Sequence, residues 1–364
     1  MADILYSRLE NRFCPGRDAM NPTDREKFGA EELAICLSHY DLGIISSITE
    51  FARGSRRSPK SIIECDKGRY LFKRRVRGRE DAAKVAFTHQ IQLMLAAQNF
   101  PLPHLLGTRP DNNSMLLLGG AIYEMFEYIQ GTNYDASLEA TNSSGRILGL
   151  YHKLLTGFRS DYRPPTGSYH NQPAIQQAVR NSIRNLPAEK LPAADVMSTV
   201  VQNLDDAYRE CAAQANNLGL DKWGLQIVHG DWHPGNMLFR DKHVVAVIDY
   251  DTARSQQRVI DLANGALQHS IIGGGDDPAR WPEYVDENRF KRFLRGYDSV
   301  NVVSVAELKA IPYLMCEAMI AEAVLPIAAT GSFGRMEGFP FLQMIDRKVK
   351  WIFAHLDTLQ KAME

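Results

Sequence analysis

Residues 229–236 read HGDWHPGN, and thirteen residues past the Asn, at the end of an apolar run, stands Asp249. The intervening segment reads as a strand (MLF), a turn (RDKH) and a return strand (VVAVI). A hairpin brings its two ends side by side, so Asn236 and Asp249 are expected to be neighbours. Asp231 lies in the loop that feeds the hairpin. One carboxylate suited to a base and two hard oxygen donors are thus expected at one place. Phosphoryl transfer needs an aligned hydroxyl, a neutralised phosphate tail and magnesium held by oxygen atoms, and little covalent chemistry from the protein.

The chain can support such a site. Its 364 residues suit a bilobal domain or two ordinary ones, and 45% hydrophobic with 23% charged residues is a globular composition. Net charge is −1, which gives no global field toward nucleic acid or an anionic membrane. The basic runs RGSRR (53–57) and KRRVRGR (73–79) read as solvated faces. Five scattered cysteines, Cys14, Cys36, Cys65, Cys211 and Cys316, form no CxxC pair, so a reducing compartment is expected. No leader pattern is visible at the start and no apolar run approaches a membrane span, which together predict a soluble cytoplasmic protein.

Hydrophobic periodicity predicts a helix over 26–42, then a change to strand texture. IISSITEF, KSIIEC and RYLFKRR read as three antiparallel strands, the last two joined by the turn Asp66-Lys67-Gly68. A helix is expected over 80–98, then strands at 115–118 and 121–126. After Gln130-Gly131-Thr132 the chain reads as helical, at 143–157, 191–217, 259–269, 288–297, 304–329 and 340–361, apart from the hairpin at 236–249.

With this layout, the chain resembles the aminoglycoside phosphotransferase, choline kinase and homoserine kinase superfamily from about residue 44 to 330. The resemblance implies an α+β, protein-kinase-like bilobal fold. A small antiparallel sheet with one main helix would precede a larger helical lobe. It divides the chain into an N-terminal helical extension (1–43), a nucleotide-binding lobe (44–128) and a helical lobe carrying the catalytic loop and acceptor site (129–364). Asp231 would be the catalytic Asp that orients the acceptor hydroxyl, with Asn236 and Asp249 as magnesium ligands. His229 would hold the loop. His233 would either touch the γ-phosphate or stabilise the loop. Asp261 would accept backbone N–H bonds from the catalytic loop, or be only an acid favoured near a helix N-terminus.

In the small lobe the resemblance points to Lys73, in YLFKRR, as the nucleotide-phosphate lysine, with Arg74 and Arg75 as rivals. Strand alternation puts Leu71 and Lys73 on one face and Phe72 and Arg74 on the other, without saying which faces the cleft. The turn RGSRRSP would cover the phosphates, with the backbone of Ser55 and Arg56 cradling them. YEMFEYIQG (123–131) would be the lobe connector, presenting backbone groups of about Glu124 to Phe126 to adenine. Two departures stand out. The helix after Lys73 has no Glu at 85–95 to hold it, leaving Gln90, His89 or Glu80 as substitutes. The phosphate turn has a single glycine, Gly54.

The implied activity is an ATP- and magnesium-dependent phosphotransferase moving a γ-phosphoryl group to a hydroxyl of a small molecule. The acceptor would be homoserine-, choline- or aminoglycoside-like, with a small metabolite preferred. No nucleic-acid or membrane partner is expected. Acids on the helical lobe include Asp251, Asp276, Asp277, Glu283, Glu317 and Glu322. The alternative is a nucleotide-binding pseudokinase acting as a structural or regulatory partner, favoured by the two departures. A protein kinase proper is disfavoured by the short path from Asp249 to the Asp261 helix.

Overall fold

The computed structural model describes residues 25–76, 81–187 and 192–362. Cys14, Glu80 and the end of the second basic run lie outside them. Helix α1 (Ala30–Leu37) is shorter than expected, because Gly29 starts it and Ser38 ends it. The strands β1 (Ile45–Glu50), β2 (Lys60–Cys65) and β3 (Gly68–Arg74) follow. Helix α2 (Ala82–Ala97) is capped by the Asp81 carboxylate, which accepts from Ala83 N and Lys84 N. The strands β4 (Leu116–Leu118) and β5 (Ala121–Glu127) complete an antiparallel sheet in the order β1-β2-β3-β5-β4.

This sheet has two different faces. Phe72, Tyr123 and Met125 are buried beneath α1 with Cys36, Leu37 and Tyr40. Arg74, on the same face as Phe72, pairs with Glu26 and Glu32. Lys73 and Glu124 therefore occupy the opposite face, where α2 lies and His89 reaches Glu124.

The rest of the chain is mostly helical: α3 (Leu138–Leu154), α4 (Pro173–Asn181), α5 (Ala194–Asn217), and later α6 (Arg258–Ser270), α7 (Glu287–Asp298), α8 (Val305–Thr330), α9 (Gly338–Ala354) and α10 (Leu356–Gln360). The helix expected over 143–157 starts earlier, at a Ser137 cap, and the C-terminal one breaks at His355. Between α5 and α6 run β6 (Leu225–Val228), the hairpin β7 (Met237–Arg240) and β8 (His243–Val247), and β9 (Arg254–Gln257), which pairs with β6. The β6/β9 pair was not expected from sequence; RSQQ lacks strand texture. Two short strands, β10 (Ser332–Phe333) and β11 (Met336–Glu337), close the turn before α9.

Contrary to the sequence expectation, α8 is long and apolar enough to cross a membrane by length and composition. Glu317 and Glu322 interrupt it, and 83% of its most apolar window is buried inside the protein, so it is the central helix of the core. Among the described residues Cys36, Cys65, Cys211 and Cys316 are all free thiols.

Helices α3 and α7 meet at backbone distance through glycines. A Cβ on Gly145 would lie 2.0 Å from the Phe293 carbonyl oxygen, and one on Gly296 would lie 2.2 Å from that of Asn142. Gly145→Ala is expected to destabilise the protein by about 2–3 kcal/mol, since backbone on both sides must move. Urea denaturation would check this, and a change below about 0.5 kcal/mol would disprove the close packing.

Candidate active site

The hairpin ends where the sequence expects. Met237 pairs with Val247, and Ile248 N donates to Asn236 O at 2.9 Å, so Asn236 and Asp249 sit at one end of β7/β8. Asp249 itself has φ 64° and ψ 66°, a left-handed conformation that costs a non-glycine residue about 1–3 kcal/mol. The strain turns the chain out of the hairpin and into the turn Tyr250–Thr252. Asn236 is buried, and its Nδ2 donates both to Asp231 O at 3.0 Å and to Asp231 Oδ2 at 3.1 Å. With the amide nitrogen spent in this way, Oδ1 is the atom left to act as a ligand.

The loop before the hairpin is fixed from beneath. Asp261, in the first turn of α6, accepts from His229 N and Gly230 N at 3.0 Å each, and His152 Nε2 lies 3.2 Å away. Burial alone would push the Asp261 carboxyl up; His152 and these donors hold it below the usual carboxylate range. These contacts are those of the first of the two sequence readings, a carboxylate that accepts loop N–H bonds. Gly230 is required twice: its φ is +74°, and a Cβ would lie 2.6 Å from Thr252 O.

His229 is buried among Tyr151, Trp232 and Tyr250, and its Nε2–H donates to Ile248 O at 3.2 Å. Burial pushes its pKa down to about 4, so the ring is neutral and structural. The Trp232 indole donates to Ser144 on α3. His233 accepts from Gly235 N through Nδ1, which leaves the Nε2 proton facing Asp231 Oδ2 at 3.6 Å. The Gly235 contact suits the loop-stabilising one of the two roles weighed for it.

Across the cleft, Lys73 faces inward and forms an ion pair with Glu124 at 3.4 Å. Glu124 is fully buried and also receives Arg75 at 2.7 Å and His89 at 2.8 Å. Burial would raise its pKa, but Arg75 first and then Lys73 hold it well below the carboxylate range. Arg75 bridges onward to Asp251 at 2.9 Å, two residues past Asp249. Asp251, despite burial, is held down to about 2 by Arg75 and Lys73. A chain of charges thus runs from Lys73 through Glu124 and Arg75 to the segment that carries Asp249.

This geometry corrects three expectations. Among the described residues the partner of Lys73 is Glu124 on β5, and His89 is the helix residue that bonds Glu124. Gln90 points elsewhere, bonding Asp161 and Ser160. Glu124 and Phe126 do not offer backbone groups to a ligand. Arg75 N donates to Ile122 O and Tyr128 N to Arg69 O, so the even-numbered residues of β5 turn their peptide groups toward β3. The connector begins after Glu127, and Thr132 already bonds Phe239 in the hairpin.

Ser55 and Arg56 lie in the turn between β1 and β2, which is bound in place from several sides. Ser58 N donates to Ser55 O, Ser58 Oγ donates to Arg74 O, and Glu26 N donates to Arg56 O. Of the acids on the helical lobe, Asp251 is taken by Arg75, Glu317 by His170 and Asn171 N, and Glu322 by Gln268. Among the described residues no cluster of three or more His, Cys, Asp or Glu could hold a metal ion alone. Asn236 Oδ1 with the Asp249 carboxylate is instead a partial set of hard oxygen donors, which fits a magnesium ion completed by phosphate and water.

The model of the APH family, described as "Phosphotransferase enzyme family", matches residues 47–302. The chain is 27% identical over 238 residues to a homoserine kinase of Zymomonas mobilis, covering 64% of this chain and 68% of that protein. An aminoglycoside phosphotransferase from Alicyclobacillus acidocaldarius superposes with a TM-score of 0.65 at 16% identity, covering 95% of this chain and 97% of the other. The amicoumacin kinase hAmiN, solved with AMP-PNP and Ca2+, gives 0.63 at 14% identity, with 91% and 94% covered. The architecture agrees with these neighbours: an antiparallel sheet followed by a helical region. The chain belongs to the APH phosphotransferase enzyme family and is a small-molecule phosphotransferase.

Proposed function

We propose that the chain is an ATP- and magnesium-dependent kinase that transfers the γ-phosphoryl group to a hydroxyl of a small homoserine-, choline- or aminoglycoside-like acceptor. The observation that carries this is the convergence of Asp231, Asn236 and Asp249 at one end of a hairpin, linked by charge to Lys73 on the opposite wall. Asp231 would accept a hydrogen bond from the acceptor hydroxyl and aim it at phosphorus. Asn236 and Asp249 would hold magnesium, whose bound charge offsets that of the phosphate tail. Lys73, kept in place by Glu124, would contact phosphate oxygens, with the Ser55 and Arg56 turn above them.

In this reading residues 44–128 form the nucleotide-binding unit, residues 129–364 carry the acceptor site, and adenine meets backbone past Glu127. Glu124 supplies the carboxylate that the helix lacks, which answers one of the two grounds for a non-catalytic reading. Asp251 and Glu317 are engaged by Arg75 and His170, which supports a compact acceptor over a polycation. The homoserine kinase relative supports the same choice.

The test is a thermal-shift titration with Mg-ATP and Mg-GTP. Saturation at about a hundred times Kd should add about 2.7 kcal/mol of stability, a rise of several degrees. The rise should need magnesium and be lost in Asp249→Ala. No shift with millimolar nucleotide would overturn the proposal; a shift would lead to a phosphorylation screen of hydroxylated amines, amino acids and sugars.

A further inference from the structure

Lys60 has no part in the reading above, yet it stands in the same cleft. It opens β2 in direct register with Lys73 on β3, so the two side chains leave the same face of the sheet. Like charges directly opposite on an antiparallel pair are destabilising unless something lies between them to offset the repulsion. Lys73 has Glu124 on one side. The Lys60 ammonium instead donates to the carbonyls of Arg53 at 3.1 Å and Ser58 at 3.5 Å, both in the turn that covers the cleft. It comes so close beneath that turn that a Cβ on Gly54 would lie 3.0 Å from its Nζ.

A cation turned toward neutral carbonyls beside a second cation is poised for an anion. Burial and then Lys73 push the Lys60 pKa down to about 8, while Asp249 and Asp251 pull it upward. Arg25 also reaches the turn, donating to Gly54 O at 3.1 Å. The turn itself has one glycine, Gly54.

We propose that Lys60 is a second phosphate-binding cation, which takes oxygens of a nucleoside di- or triphosphate between itself and Lys73. Its charge takes over what a glycine-rich turn would supply through backbone N–H groups. On binding, the ammonium exchanges the Arg53 and Ser58 carbonyls for phosphate oxygens. The inference rests on the nucleotide reading above and adds to it a second cation beneath the turn.

The experiment is calorimetric titration of adenosine, AMP and Mg-ADP into the wild-type protein, Lys60→Met and Lys60→Arg. The readout is the ratio of ADP to adenosine affinity, which a general loosening of the fold does not change. That ratio is expected to fall by about tenfold in Lys60→Met, the loss of one charge-assisted contact, and to recover most of its value in Lys60→Arg. An unchanged ratio in Lys60→Met would overturn the role of Lys60 while leaving the nucleotide reading intact. A wild-type protein that binds neither adenosine nor ADP would overturn both.

Discussion

Asp231→Asn is expected to reduce phosphoryl transfer by roughly a hundred- to ten-thousand-fold, the range lost with a positioned general base. That is about 3–5 kcal/mol of transition-state stabilisation, at 1.36 kcal/mol per decade. Nucleotide binding should be nearly unchanged. The substitution keeps the shape of the side chain, and half of the link to Asn236 runs to the backbone oxygen of Asp231, which the change does not touch. His233 keeps its own anchor on Gly235 N. The loop should therefore hold, while the group that draws the hydroxyl proton loses its charge. The measurement pairs ADP release, with the acceptor found by screening, against nucleotide affinity in the same preparation. Turnover equal to wild type would remove Asp231 from the chemistry; loss of nucleotide binding as well would mean that the variant acts through the loop's structure.

The geometry of the candidate site was legible because its determinants are local. HGDWHPGN, a short apolar strand, a turn and an Asp at the end of the return strand all lie within 21 residues, and a hairpin has few ways to arrange them. The small sheet was legible for a related reason: alternation and the Asp66-Lys67-Gly68 turn fix its register. What alternation cannot tell is which face looks inward. That was decided by α1 and its flanking residues, where Phe28 and Tyr40 pack on Phe72 and where Glu26 and Glu32 meet Arg74.

The partner of Lys73 was missed for a different reason. Glu124 sits opposite it on a neighbouring strand, 51 positions along the chain, in a segment whose sequence reads as connector. Within the strand pattern an ionised side chain buried on the cleft face has no separate signature; its three partners, Lys73, Arg75 and His89, come from β3, the segment just after β3 and α2. A buried Glu flanked by apolar residues in a β-strand needs a charged partner. Asking where that partner lies would have led from Glu124 back to Lys73.

Asp261→Asn should separate the two roles that the sequence left open for this residue. If the carboxylate merely favoured the start of α6, its loss would cost about 0.3–1 kcal/mol. The structure has it buried, accepting from His229 N and Gly230 N with a different oxygen each and facing His152 Nε2. An amide has one acceptor oxygen, so one loop N–H would face an NH2 group, donor against donor. A cost of about 3 kcal/mol or more is expected, with a comparable share of activity lost as the loop under Asp231 loosens. The pH dependence fixes the sign. A carboxyl whose folded pKa lies below its unfolded value of about 3.9 contributes stability above that value and loses it as the pH falls through the folded pKa. Wild type and variant should therefore differ by the full amount near neutral pH and converge in acid. Urea denaturation at neutral and acid pH measures both. A neutral-pH difference below about 1 kcal/mol would reduce Asp261 to a helix-end acid, and the catalytic loop would then need another support.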